Sequence, residues 1–163
     1  MKFRVLIVFA LSVVFLPSCS NDAGFSDDIL VSLERSACYG ECPVYNLKVL
    51  KSGIVEYDGF VNVAIEGRKI SSITPEQINT IETKLDGVKF FRLKSSLKPD
   101  SWGCSDYWSD HSSITIQGSI GTRKKEVYTY LGCESKQVAK VIELADFIDE
   151  VAGASKWIKD TNE

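Results

Sequence analysis

The chain has 163 residues, 44% hydrophobic and 25% charged, with a formal net charge of −3. That length suits a single domain with one packed core, and no low-complexity block or long internal linker interrupts it. The acidic balance argues against a nucleic-acid partner, because neutralising phosphates requires a basic face.

The N-terminus begins with Lys2 and Arg4, followed by an apolar run from Val5 to Leu16 broken only by Ser12. A charged n-region before a short h-region has the form of an export signal and is too short for a comfortable membrane span. It ends in Leu16-Pro17-Ser18-Cys19, and a polar tract follows. These residues resemble the lipobox of bacterial lipoproteins. The resemblance implies cleavage after residue 18 and acylation of Cys19 by diacylglyceryl and palmitate-type chains. It also implies a membrane-anchored place in the cell envelope, on the periplasmic face of the outer membrane in a Gram-negative host. Cleavage removes Lys2 and Arg4 and no acid, so the formal charge moves from −3 to about −5. Residues 19–28 then serve as a lipid-anchored tether, and residues 29–160 form the domain.

Ile29 to Arg35 alternates as a half-buried strand. Cys38 and Cys42 follow, flanking Gly40 and closed by Pro43. With Cys19 acylated, Cys38, Cys42, Cys104 and Cys133 remain, an even set suited to two disulfides in an oxidising compartment. Cys38–Cys42 and Cys104–Cys133 is the favoured pairing, and the crossed connectivities stay open. A redox reading of Cys38 and Cys42 is the rival. A redox pair normally has two residues between its thiols at a helix N-terminus, whereas three stand here before a strand.

Val44 to Leu50 and Ile54 to Val61 read as a hairpin. A three-residue Lys51-Ser52-Gly53 loop sets Val49 against Val55, Leu47 against Tyr57 and Lys48 against Glu56, which satisfies both faces. A short strand returns over Arg68 to Ser71. Thr74-Pro75-Glu76-Gln77 opens a helix with a capping box and proline at its first position, and Gly87 stops it. Val88 to Leu93 is an apolar segment packed beneath the sheet. Lys94 to His111 shows no periodicity. Ser112 to Gln117 and Arg123 to Tyr130 form a second hairpin around Gly118 to Gly121. A last helix runs from about Ser135 to Val151, and Trp157-Ile158 follows. The expected fold is α+β, an antiparallel sheet of five to six strands with two helices on one face. The order also fits a diverged duplication of a hairpin–helix unit.

Cys38-Tyr39-Gly40-Glu41-Cys42-Pro43-Val44-Tyr45, followed by Gly53-Ile54-Val55-Glu56-Tyr57-Asp58-Gly59, resembles a family of bacterial envelope domains of unknown function. The likeness continues through Ile73 to Gln77, Phe90-Phe91 and Asp106 to Lys156-Trp157. Cys104 and Cys133 lie outside that pattern and read as an additional bridge. The family brings no activity, so no catalytic residue is carried over.

The loop from Ser101 to His111 is the leading candidate site, with Trp102, Asp106, Tyr107 and Trp108 as candidate recognition residues. The plainer reading is a stapled surface loop whose tryptophans pack on the sheet edge. Asp106, Asp110 and His111 lack the spacing of a metal loop, and no cofactor is implied. Asp146, Asp149 and Glu150 read as solvated charges on the polar face of the last helix. No catalytic constellation emerges. The sequence therefore supports a non-enzymatic module that binds or scaffolds another envelope protein. The alternatives are ligand or glycan binding through the aromatic loop, and a thiol–disulfide enzyme using Cys38 and Cys42.

Overall fold

The computed structural model of the chain describes residues 26–101, 103–104 and 106–159. The lipobox, Cys19 and Trp102 lie outside the described residues. Seven strands form one sheet: β1 (Ile29–Arg35), β2 (Val44–Leu50), β3 (Ile54–Val61), β4 (Gly67–Ser72), β5 (Ser96–Leu97), β6 (Ser113–Ile120) and β7 (Arg123–Tyr130). Their order across the sheet is β4-β3-β2-β1-β6-β7-β5. Three α-helices accompany it: α1 (Pro75–Gly87), α2 (Lys136–Val151) and α3 (Ser155–Ile158).

The fold is α+β, as expected, but the sheet is larger and mixed. The unforeseen strand is β5, which pairs parallel to β7 while every other pairing is antiparallel. Two residues are too few to show a period, so only the register against Tyr128 and Thr129 reveals it. The first hairpin has the three-residue register, with Val49 opposite Val55, Leu47 opposite Tyr57 and Lys48 opposite Glu56. The second differs from expectation. β6 runs on to Ile120, directly opposite Arg123, so the turn is Gly121-Thr122 alone. Gly118 is a mid-strand residue whose lack of a side chain makes room for a ring. A Cβ there would meet the Phe90 ring at 2.9 Å.

Period-two alternation divides the sheet into two faces. Leu33, Tyr45, Leu47, Val49, Val55, Tyr57, Ile114, Ile116 and Val127 are buried, while Glu34, Lys48 and Asp58 are exposed. The helices cover the apolar face, as the layer rule requires. α1 buries Ile81 and Leu85, and α2 buries Val138, Val141, Leu144, Ala145 and Ile148. α2 packs against β6, β7 and α1. The α1 capping box is complete: the Gln77 N–H donates to Thr74 Oγ1 at 3.3 Å, and the Thr74 N–H donates to Gln77 Oε1 at 2.9 Å. Ser135 caps α2 by accepting from the Val138 N–H at 3.2 Å. The apolar segment after α1 is a 3-10 turn, Phe90–Arg92, with Phe90 in the core. Trp157 and Ile158, on α3, are buried as well. Among the described residues no helix is long and apolar enough to cross a membrane.

Candidate functional site

Strand register gathers several connections at one end of the sheet. Arg35 closes β1 opposite Tyr45 and Ile114, Val44 stands opposite Val61, and Ser113 stands opposite Tyr130. Both favoured disulfides are present and both act here. Cys38–Cys42 closes the β1–β2 connection, and Cys104–Cys133 ties the segment before β6 to the segment after β7. Hydrogen bonds fasten the smaller bridged loop on two sides. Asn62 Nδ2 donates to the Cys42 carbonyl at 3.3 Å, and the Tyr39 N–H donates to the Asp110 carbonyl at 3.1 Å.

The described part of the aromatic loop is held by its backbone, not by burial of the Tyr107 and Trp108 rings. The Trp108 N–H donates to the Gly132 carbonyl at 2.9 Å, and the Trp108 carbonyl accepts from the Tyr130 hydroxyl at 2.9 Å. Tyr107 forms an isolated bridge with Cys133, and the Asp106 carbonyl accepts from the Glu134 N–H at 3.2 Å. Trp108 is 65% exposed and Tyr107 48%, with Asp106 also exposed. For Trp108 this overturns the expectation that the tryptophans pack on the sheet edge. Its ring stands out while Nε1 donates to Glu134 Oε1 at 3.2 Å. Tyr39, on the neighbouring bridged loop, is 92% exposed.

The close approach of this loop depends on Gly132. A Cβ there would lie 2.2 Å from the Trp108 carbonyl oxygen and 2.6 Å from the Tyr130 ring. Gly132→Ala is expected to lower unfolding stability by about 1–3 kcal/mol, the usual cost of overpacking. It should also increase hydrogen exchange at the Trp108 amide while leaving β2–β3 amides unchanged. Exchange at Trp108 equal to wild type would show that the loop does not rest on this contact.

On the helix side of the same end lies a group of side chains that the sequence reading did not assemble. Arg35 follows Val31 and Leu33 in alternation, so it shares their inward face. Its Nε donates to the Tyr45 hydroxyl at 2.7 Å, and its Nη2 donates to Asp146 Oδ1 at 2.7 Å and Asp149 Oδ2 at 3.1 Å. The Tyr45 hydroxyl in turn donates to Asp149 Oδ2 at 2.6 Å. Asp149 is only 7% exposed, which corrects its reading as a solvated charge. Asp146 is exposed, yet it is ion-paired to Arg35. The signal was there to find: Asp149 lies four residues after Ala145 and eight after Val141, on the apolar stripe itself. Burial pushes the Asp149 carboxyl up to about 6, against the opposing pull of Arg35 and of the Tyr45 hydroxyl. Burial, reinforced by the Asp149 carboxylate, also raises the Tyr45 phenol well above its ordinary value.

This cluster forms the floor of a cleft of about 470 Å³, with Pro43 and Ile158 on its walls. The cysteines, proline and tyrosine of the bridged motif thus each have a physical role. The sulfurs fix the turn, Pro43 shapes the cleft, and Tyr45 joins the β2 end to α2. The ion pairs and hydrogen bonds fasten helix to sheet. Cys38 and Cys42, each bonded to the other, present no free thiol. Among the described residues no three His, Cys, Asp or Glu side chains come together as a metal-binding group.

Comparison with the curated proteins gives no match. The family model described as a domain of unknown function, DUF6438, matches residues 29–152, from the start of β1 through α2 and one residue beyond. That span includes the bridged motif, the aromatic loop and the Arg35–Tyr45–Asp149 cluster, and the chain belongs to the DUF6438 family.

Proposed function

We propose that this protein is a lipid-anchored, non-enzymatic binding module of the bacterial cell envelope, docking on another envelope protein through the aromatic end of its sheet. Cys19 is the acylation site, with residues 19–28 as tether, and the lipobox-like sequence supports that reading. The observation that carries the docking role is the exposure of Tyr39, Tyr107 and Trp108 on segments already ordered by hydrogen bonds and two disulfides. Large aromatic side chains of this type dominate binding energy at protein interfaces. Rigid presentation reduces the ordering entropy that association costs.

The test is photo-crosslinking in intact envelopes, with a crosslinking residue at position 39 or 108. A control at position 122 sits in the β6–β7 turn, at the opposite end of the sheet. The expected result is one protein adduct of the same mass from positions 39 and 108, absent from 122, and lost from 39 when Trp108→Ala is added. No adduct from 39 and 108, or equal yield from 122, would refute the docking role.

A further inference from the structure

We propose that the cleft between the bridged loop and α2 binds a zwitterionic ligand, an apolar α-amino acid or a short peptide with both termini free. The inference is independent of the aromatic surface. Its first ground is the state of Arg35. Nε and Nη2 are occupied by Tyr45, Asp146 and Asp149. Nη1 has no hydrogen-bond partner among the described residues, and it is not among the sealed, unsatisfied atoms. A guanidinium held on one side by a buried carboxylate and a phenol is pre-oriented, so its remaining donors meet a ligand carboxylate without further ordering.

The second ground is the matching acceptor. Arg35 occupies Asp146 Oδ1 at 2.7 Å, and Oδ2 has no partner among the described residues. The two partners of this ion pair thus each keep one group, Arg35 Nη1 and Asp146 Oδ2, without a partner among the described residues. Lys159, also lining the cleft, adds a second cation to it.

The third ground is charge balance. Arg35 and Lys159 face Asp146 and Asp149, so the lining is neutral in formal charge. A zwitterion adds no net charge to that neutral lining, whereas a purely anionic or cationic ligand would bring an uncompensated charge into it. Pro43 and Ile158 supply an apolar wall for the side chain. The volume, about 470 Å³, falls within the range of roughly 300–1,000 Å³ typical of small-molecule sites.

The experiment is isothermal titration of the full acylated chain in detergent micelles. The probes are leucine, the dipeptide Leu-Leu, N-acetyl-leucine and leucinamide. Saturable binding of leucine or Leu-Leu is expected, weakened by roughly tenfold or more when either the ammonium or the carboxylate is capped. Asp146→Asn, which keeps an oxygen for the Arg35 bond, should weaken binding of the free zwitterion by a similar factor while still unfolding in one cooperative transition. Lys159→Gln should reduce affinity for leucine and leave the already weak leucinamide unaffected. The proposal is overturned by any of three results. These are no saturable binding by leucine or Leu-Leu, undiminished binding of either capped compound, or wild-type affinity in Asp146→Asn. Each result leaves the crosslinking outcome at positions 39 and 108 untouched, so the two readings stand or fall separately.

Discussion

Arg35→Met is expected to destabilise the domain by about 3–5 kcal/mol at neutral pH, the cost of leaving one partner of a buried ion pair uncompensated. The guanidinium is the only cation bonded to Asp149 among the described residues, and its loss leaves a carboxylate in an apolar setting with the Tyr45 hydroxyl as its one remaining donor. The penalty should depend on pH with a definite sign. Asp149 already has a folded-state value of about 6, above the ordinary carboxylate range near 4. A group whose value is raised by folding binds its proton more tightly in the native state. Its contribution is therefore most favourable below about pH 4 and is lost as pH rises through about 6. Removing Arg35 moves the Asp149 value still higher and extends that loss past neutrality. Urea unfolding of both proteins at about pH 4 and about pH 7 should thus show a larger difference at the higher pH. Carboxylates elsewhere that titrate the other way, such as Asp86 paired with Arg123 and Glu143 paired with Lys84, cancel between the two proteins. A difference that is equal at both pH values, or below about 1 kcal/mol, would show that the pair does not hold α2 to the sheet.

Removal of the Cys104–Cys133 bridge has the second large expected effect. The two cysteines are 29 residues apart, and both are buried in the core. Loop-closure entropy alone assigns the cross-link about 3.5 kcal/mol, acting through the unfolded chain. The smaller bridge, at a separation of four residues, is assigned about 2 kcal/mol on the same reasoning. The Cys104→Ala/Cys133→Ala double variant should therefore unfold at clearly lower denaturant than Cys38→Ala/Cys42→Ala. The two should also fail differently. Without the larger bridge, the segment carrying Tyr107 and Trp108 loses its covalent tie to the end of β7, and its amides should exchange faster. Without the smaller one, Pro43 and the cleft wall are released while Trp108 stays protected by Gly132 and Tyr130. Equal midpoints for the two double variants would contradict the ordering.

These expectations differ in how much of their basis was legible before the fold was known. The first hairpin was legible to the residue, because only one register pairs Val49 with Val55 while placing Lys48 across from Glu56. The α1 start was equally plain, since Thr74, Pro75 and Gln77 each act within one helical turn. The bridge pairings were preferred on chain distance, and they are present. Gly118 shows the opposite case. A glycine between two strand-like runs reads as a turn, but its cause is the Phe90 ring, 28 residues earlier in the chain. The bond of β5 to β7 escaped for a similar reason. Two residues carry no period, and their pairing is decided by where the chain returns.

The sequence by itself determined most of the local elements, the caps and the division of the strands into an apolar and a polar face, because each depends on residues close in the chain or on a regular period, while it favoured the two sulfur bridges without excluding the crossed pairings. The tertiary structure alone decided that Arg35, Tyr45, Asp146 and Asp149 would meet, and that Tyr39 would stand beside the loop of Tyr107 and Trp108. Asp149 reads as a solvated charge by residue type, although its spacing from Val141 and Ala145 puts it on the apolar stripe, and Arg35 shares the face of Val31 and Leu33. Nothing local pairs two such charges 114 residues apart. That pairing follows from packing α2 against the apolar face of the sheet, where a carboxylate excluded from water is stabilised only by a cation and a hydroxyl brought to it by other strands.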